Sequence, residues 1–406
     1  MSFTKKIIVS MILGILLGIA FNLTNFIESS SGTYVTNLLD LVSYLFLSSL
    51  KLIIVPLIFF SIVCGIVSLS DDVSISRLGI KTLLLYTITT VIAISLGLLF
   101  SSFINYEPIE MKNLGSVVNI ENIETDGNIF PNNIFKSLSD GNIIHLLIFA
   151  VLIGISAARI KNKIKTFIQY FYDFNDVINE LVKLIISFTP VAVFCILAKT
   201  FSTQGIETIM SLAGYFFTVV FVLLFHFFFT FSTLIKFFTA LNPVKFFQNL
   251  KDVVIFTFST SSSSASIPFT LKAAEEKYGI DKSISTFTVP LGATINMDGT
   301  AIMQGCATFF LASLYGIDLG INEIITIVIT ATIASIGTAG IPSAGIIMLT
   351  VIFTQIGIPL EGITLLLGVD RLLDMMRTSV NVSGDICISC VIASSERKIN
   401  EKIFNS

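Results

Sequence analysis

The chain has 406 residues, of which 54% are hydrophobic and only 13% charged, with a net charge of -3 and a mean hydropathy of +0.90. Soluble domains carry about 25% charged residues, so this composition excludes an ordinary soluble protein and points to a polytopic membrane protein. There is no long basic tract, so nucleic acid is not an expected partner.

Apolar runs measured against the ~20 residues needed to cross a bilayer predict spans at roughly 7–22, 36–69, 80–104, 142–158, 178–199, 207–238, 283–312 and 362–394. The first follows a basic start without a small-residue cleavage site, and reads as an uncleaved span. Basic residues mark alternate loops: Lys5 and Lys6, Arg77 and Lys81, Arg159 to Lys165, Lys236 to Lys251, and Arg397 to Lys402. The intervening loop 105–130 is acidic, with Glu107, Glu110, Glu121, Glu124 and Asp126 against Lys112. Basic loops stay on the cytoplasmic side, so both termini are expected there and the number of crossings is even.

Two further apolar segments, 253–275 and 322–357, are interrupted by small polar residues, Gly and Pro. FSTSSSSASIPFT and IASIGTAGIPSAG each hold a Pro preceded by Ala, a small residue and Ile: Pro268 and Pro342. Freed backbone groups are tolerated at membrane depth only inside protein or beside water. Two re-entrant helical hairpins fit this pattern, and paired interrupted segments in two halves point to a transporter's binding site. Two kinked ordinary helices are the alternative.

The last span contains LLDMMRTSVNVSGDI. As a helix it places Asp370, Asp374, Arg377 or Thr378, Asn381 and Asp385 on one face, three or four residues apart. A charge at the bilayer centre costs about 2.5–3.5 kcal/mol on insertion scales, so the stripe must meet a polar cavity or pair with itself. An internal salt-bridge stack pinning two helices satisfies that. So does a receptor for a zwitterion with an acidic side chain: a guanidinium grips a carboxylate and Asp374 suits an ammonium. The segment LGATINMDGTA (291–301) puts Thr294, Asn296, Asp298 and Thr300, with Gly292 and Gly299, in a span otherwise made of apolar and small residues. Oxygen donors without sulfur or imidazole suit a hard cation, and loosened helix ends hold one in transporters; a polar helix contact is the plainer reading. Tyr86, Thr89 and Thr90 share a helical face, a pattern common in simple helix packing.

His145 and His226 are single and far apart, and the Phe-rich surroundings of His226 suggest lipid or packed protein. No Ser–His pair is suggested, so the serine run is a poor nucleophile and the protein is not expected to be an enzyme. Cys64, Cys195, Cys306, Cys387 and Cys390 fall in apolar segments and read as small hydrophobes, the Cys387-x-x-Cys390 pair included. An intramembrane hydrolase using the serine run and an anion channel lined by Arg371 and Arg377 are the rivals from other classes.

SSSSASIP, NMDGT, GTAGIPSAG and DMMRTSVNVSGD, in this order, resemble the dicarboxylate/amino acid:cation symporter family, which includes glutamate and aspartate transporters. The resemblance spans nearly the whole chain. It implies an all-α polytopic fold of eight transmembrane helices plus two re-entrant hairpins, inverted repeats and an elevator-type mechanism. It also implies a homotrimer in the cell membrane, in contact with lipid. Residues 1–70 and 125–200 would form a scaffold part, and 79–104 and 205–406 a transport part.

The resemblance implies substrate contacts at Arg377, Asp374, Thr378, Asn381, Thr300, Ser263, Ile341 and Gly345. It implies three sodium sites. One uses Asp385 with the carbonyls of Gly292, Asn296 and Asn381. Another uses the carbonyls of Thr294, Ser335, Ile336 and Thr338 near Met297. The last uses Asp298, Asn296, Tyr86, Thr89 and Thr90. The expected function is sodium-coupled uptake of glutamate or aspartate, with no cofactor beyond the coupling ion. Alternatives within the family are proton-coupled glutamate symport, or a carrier of cystine, neutral amino acids or C4-dicarboxylates. The family holds a further arginine at the places of Ser261 or Met375; here Arg371, one turn before Met375, is the expected substitute.

Overall fold

The computed structural model describes residues 3–68, 75–104, 106, 133–139, 143–204, 206–336 and 344–405. Among them no strand occurs; the one extended pairing is an antiparallel bridge between Ile280 and Ile399. The helices in chain order are α1 (Phe3–Leu23), α2 (Ser30–Ser68), α3 (Ile75–Ser102), α4 (Ile134–Ser139), α5 (Ile143–Ile160), α6 (Lys165–Ser187) and α7 (Thr189–Gln204). They continue as α8 (Ile206–Phe225), α9 (Phe231–Phe238), α10 (Pro243–Thr260), α11 (Ser263–Glu276), α12 (Lys282–Ile295) and α13 (Asp298–Leu314). The last four are α14 (Ile321–Ile336), α15 (Ala344–Ile356), α16 (Ile363–Ser395) and α17 (Glu401–Asn405). Most of loop 105–130, and Thr338 and Ile341, lie outside the described residues.

The helices follow the apolar runs, and the departures have physical causes. The expected span 178–199 is two helices, α6 and α7, bent by 47° where Phe188 leads into Thr189 and Pro190; Pro is at home in the first turn of a helix and cannot continue the previous one. α6 also begins earlier than expected, at Lys165, because its first half is amphipathic and not uniformly apolar. The span 283–312 breaks at Asn296 and Met297, between α12 and α13. Between α8 and α9, His226–Thr230 form one π-helical turn. By length and composition, Leu78–Ser102 and Met210–Phe238 are each long and apolar enough to cross a membrane, as is the α6–α7 pair if counted as one span. α16, the longest helix after α2, does not qualify because its middle carries charge.

The packing falls into two groups. α1 lies along α7, and α2 packs on α5, α6 and α7. In the other group α13 lies on α3, and α16 is surrounded by α8 to α13. α10 and α11 run together, as do α14 and α15, each pair joined through a break. In the first of these breaks Ser261 adopts a left-handed φ of 50°, and the Ser262 side chain accepts from Ala265 N to cap α11. Asp281 caps α12, and the hydroxyl of Ser283, then its backbone N–H, holds the Asp281 carboxyl below the ordinary carboxylate range.

α1 approaches α7 through Gly14 and Gly18, a small-xxx-small pair. A Cβ at Gly14 would lie 2.7 Å from the Phe194 carbonyl oxygen, and one at Gly18 would lie 2.6 Å from that of Ala198. Gly18→Leu therefore has no room without moving α1, and should cost about 1–3 kcal/mol. Unfolding of the purified protein checks this, and a variant as stable as the parent would show that α1 and α7 do not need the close approach.

Candidate functional site

α16 builds the site. Along its inner face Asp370, Asp374, Arg377, Thr378, Asn381 and Asp385 are all buried, with Arg377 and Asp385 each 1% exposed. A guanidinium this deep needs counter-charge, and it has two: Nη2 lies 2.9 Å from Asp370 Oδ1 and donates to Asp374 Oδ1 at 2.8 Å. Arg371 Nη1 approaches the other oxygen of Asp374 at 3.3 Å. The four ionic side chains sum to zero charge within eight residues of one helix.

The cluster is not closed on itself. Nε and Nη1 of Arg377 have no hydrogen-bond partner among the described residues. The first turn of α15 comes up to this unpaired side: a Cβ on Gly345 would lie 3.4 Å from Nη1 and 2.7 Å from Thr300 Cγ2. An anion there would meet both a guanidinium and the positive end of a helix. Thr378 donates its hydroxyl to Asp374 O. Ser263 is buried at the start of α11, beside Ser261, whose hydroxyl is also buried and without a partner among the described residues. The α10–α11 hairpin is seated on α16 through Ser379, whose hydroxyl lies 3.3 Å from both Thr257 Oγ1 and Val254 O. Arg377, Asp374, Thr378, Thr300 and Gly345 are thus gathered in one place.

The break between α12 and α13 faces the same helix. Asn381 Oδ1 accepts from Gly299 N at 2.7 Å, and its Nδ2 reaches Met297 Sδ at 3.3 Å and Thr300 Oγ1 at 3.5 Å. Asn296 Nδ2 donates to Asp385 Oδ1 at 2.8 Å and to Asn381 O at 2.9 Å. A Cβ on Gly292 would lie 2.2 Å from Asp385 Oδ1 and 2.6 Å from Tyr86 Oη, so only glycine lets α12 touch this carboxylate. Asp385, Gly292, Asn296 and Asn381 therefore meet as expected. Asn296 Oδ1 is buried with no partner among the described residues. An orphan amide oxygen beside a buried carboxylate, at a loosened helix end, fits a hard cation.

Asp298 makes a second acidic spot. Thr90 donates to its Oδ1 at 3.0 Å, so Thr90 and Asp298 come together. Thr89 and Tyr86 do not join them by hydrogen bonds: Thr89 donates to Tyr86 O, and the Tyr86 phenol to Thr288 O. Their hydroxyls are taken by main-chain carbonyls, and Tyr86 lies instead against Gly292 and Asp385. Of the remaining expected set, the Thr294 side chain is exposed and bonds to its own helix, as does that of buried Ser335. Ile336 ends α14.

His226 sharpens the sequence reading. Of lipid and packed protein, the structure selects packed protein, and adds a carboxylate the sequence did not point to: the residue is fully buried, with Nε2 3.2 Å from Asp298 Oδ2. A carboxylate already accepting from Thr90 presents acceptors only, which places the ring proton on Nε2. The residue opens the π-helical turn, and such turns occur frequently at functional sites. An ionisable group inside an apolar helix was the available signal.

Buried polar side chains gather around a guanidinium and two acidic spots inside an apolar helical protein, a candidate site for a charged solute. The model of the sodium:dicarboxylate symporter family matches residues 3–395. A proton/sodium-glutamate symport protein of Bacillus caldotenax is 32% identical over 410 residues, 98% of this chain and 95% of that protein. A proton/glutamate-aspartate symporter of Escherichia coli (strain K12) is 30% identical over 419 residues, covering 99% and 94%. Excitatory amino acid transporter 3 of Homo sapiens is 30% identical over 412 residues, covering 87% and 78%. This chain belongs to the sodium:dicarboxylate symporter family.

Leaving a buried acceptor without its donor costs about 1–3 kcal/mol. His226→Leu, which removes the donor facing Asp298, should lose about that much stability, and His226→Gln, which keeps an N–H, distinctly less. Thermal unfolding of the two variants side by side checks this; equal loss in both would show that the ring's shape matters and its proton does not.

Proposed function

We propose that this chain is a secondary symporter that takes up acidic amino acids, glutamate or aspartate, coupled to sodium. The observation that supports it most is the buried Arg377, whose Nε and Nη1 have no partner among the described residues, set between Asp374 and the first turn of α15. Arg377 holds the substrate's side-chain carboxylate and Asp374 its ammonium, while Thr378, Asn381, Thr300, Ser263, Ile341 and Gly345 complete the enclosure. The arginine argues against neutral substrates, and Asp374 against a C4-dicarboxylate, which has no amino group to offer it. The relatives named as glutamate and glutamate-aspartate symporters agree with this choice.

Asp385 with Gly292, Asn296 and Asn381 forms one sodium site. Asp298 with Thr90, Asn296, Tyr86 and Thr89 forms another, and Thr294, Ser335, Ile336 and Thr338 near Met297 the remaining one. Sodium supplies positive charge that the substrate lacks. An acidic amino acid carries one net negative charge, and moving it toward an inside-negative compartment costs about 2.3 kcal/mol per 100 mV. Two or more cotransported cations reverse the sign. Asn381 gives its side chain to Gly299 and its carbonyl to Asn296, so cation and substrate sites share one residue, and occupancy of one orders the other.

In this reading the two packing groups serve as a scaffold part (1–70 and 125–200) and a transport part (79–104 and 205–406). In this reading the transport part moves across the membrane as an elevator, with α10–α11 and α14–α15 as opposed re-entrant hairpins and both termini in the cytoplasm. A homotrimer in the cell membrane also has support. Phe167, Tyr170, Phe174, Val177, Leu181 and Leu184 on α6 are exposed at alternating spacings of three and four, the period of a helix seam. Asp173, Asp176 and Glu180 lie exposed beside them, and lipid would reject those carboxylates.

Vesicles containing the purified protein should accumulate radiolabelled aspartate when a sodium gradient is imposed. Glutamate should compete, and succinate, serine and cystine should not. Uptake that ignores sodium and follows a proton gradient alone would remove the sodium assignment. Arg371 is proposed to hold Asp374 from the side opposite Arg377, in place of the arginine the family keeps elsewhere. Arg371→Ala should therefore slow uptake, and unchanged turnover would dismiss that role.

A further inference from the structure

After α16 the chain turns back on itself. Arg397 takes a left-handed φ of 56°, and Lys398 N bonds to Ala393 O at 2.7 Å. The next residues pair with the turn between α11 and α12: Asp281 N donates to Lys398 O at 3.0 Å and Asn400 N to Gly279 O at 2.7 Å. Gly279 has a φ of 65°, and a Cβ there would lie 2.4 Å from Asn400 O, so the pairing demands glycine. α17 then inserts Phe404, fully buried, against the equally buried Tyr278, with ring centroids 6.0 Å apart. The Tyr278 hydroxyl donates to Phe246 O on α10 at 2.9 Å. Asn249 of α10 donates to both Phe404 O, at 3.0 Å, and Lys277 O at the end of α11, at 3.1 Å.

We propose that residues 397–405 are a latch that clamps the open end of the α10–α11 hairpin to the end of α16. A helical hairpin is free to splay where its two arms end, and here those ends are α10 around Phe246–Asn249 and α11 around Lys277–Gly279. The latch closes that freedom with an apolar plug, Phe404, and with hydrogen bonds to the Asn249 side chain on the α10 arm and to main-chain groups of Gly279 and Asp281 past the α11 arm. Separating the arms would expose two buried aromatic rings and leave main-chain groups unpaired. By contrast, an exposed ion pair between the arms, Lys277 with Asp252, contributes little by itself. Resting on the proposed substrate site, the latch has a mechanical meaning: the helix carrying Arg377 and Asp385 grips, by its own tail, the hairpin that walls the same site. The two then move as one body, and the tip around Ser261 keeps its place relative to Arg377.

Hydrogen exchange of the full chain in lipid nanodiscs tests this without substrate or sodium, so its outcome is independent of the transport reading. Asn249→Ala and Phe404→Ala should each speed exchange of amides in 270–281 by about tenfold or more, and leave 298–312 as protected as in the parent. Phe404→Leu, which keeps an apolar plug, should recover most of the protection. Unchanged protection of 270–281 in both alanine variants overturns the latch. So does a chain-wide loss in Phe404→Ala with Asn249→Ala indistinguishable from the parent, since Phe404 would then serve general folding alone.

Discussion

Burying one guanidinium organises this protein. Arg377 is 1% exposed, and a charge so far from water is tolerated only with partners that neutralise it and accept its protons. Asp370 and Asp374 do this from the same helix, so the compensation is already present when α16 forms. The consequence is architectural. A helix with four ionic side chains on one face cannot turn that face to lipid, and α16 is accordingly ringed by α8 to α13. Among the described residues the compensation is also incomplete, because Nε and Nη1 of the guanidinium find no acceptor there, and an enclosed donor of that kind next to a helix start is what an anionic guest needs.

The breaks in the helices follow from the same constraint. The interruption between α12 and α13 frees backbone N–H and C=O groups that must find partners, and candidate site residues supply them. Asn381 holds the start of α13 by Gly299 N, and Asn296 spans from the break to Asp385 and the Asn381 carbonyl. The π-helical turn at His226 adds a residue to one turn of the α8–α9 helix and sets an imidazole against Asp298. Folding and the proposed solute handling thus draw on one set of hydrogen bonds, and in that reading perturbing either disturbs the other.

Much of this was legible because its physics is local. Spacings of three and four along 370–385 put the polar residues on one face whatever surrounds the helix, and Ser, Gly and Pro in two apolar segments mark places where helices stop. Other features were hidden for equally physical reasons. The start of α6 mixes Lys165, Asp173 and Asp176 with aromatic residues, so a search for apolar runs passes over it. Pro190 sits one residue inside α7 and so reads as part of a continuous run. The tail at 397–405 is short and polar apart from Ile399, Ile403 and Phe404, and nothing in its composition announces a buried ring.

By itself the sequence determined that the chain lies in a membrane, that it is helical, and that α16 must turn a charged stripe inward, since transfer costs and helical periodicity depend on residue type and spacing alone. Only the tertiary structure decided which groups satisfy which. His226 meets Asp298 across 72 residues, Asn296 meets Asn381 across 85, and Thr90 meets Asp298 across 208. A buried polar atom takes whichever complementary atom lies within about 3 Å, and that distance is set by how helices far apart in the chain pack, not by the order of residues within any one of them.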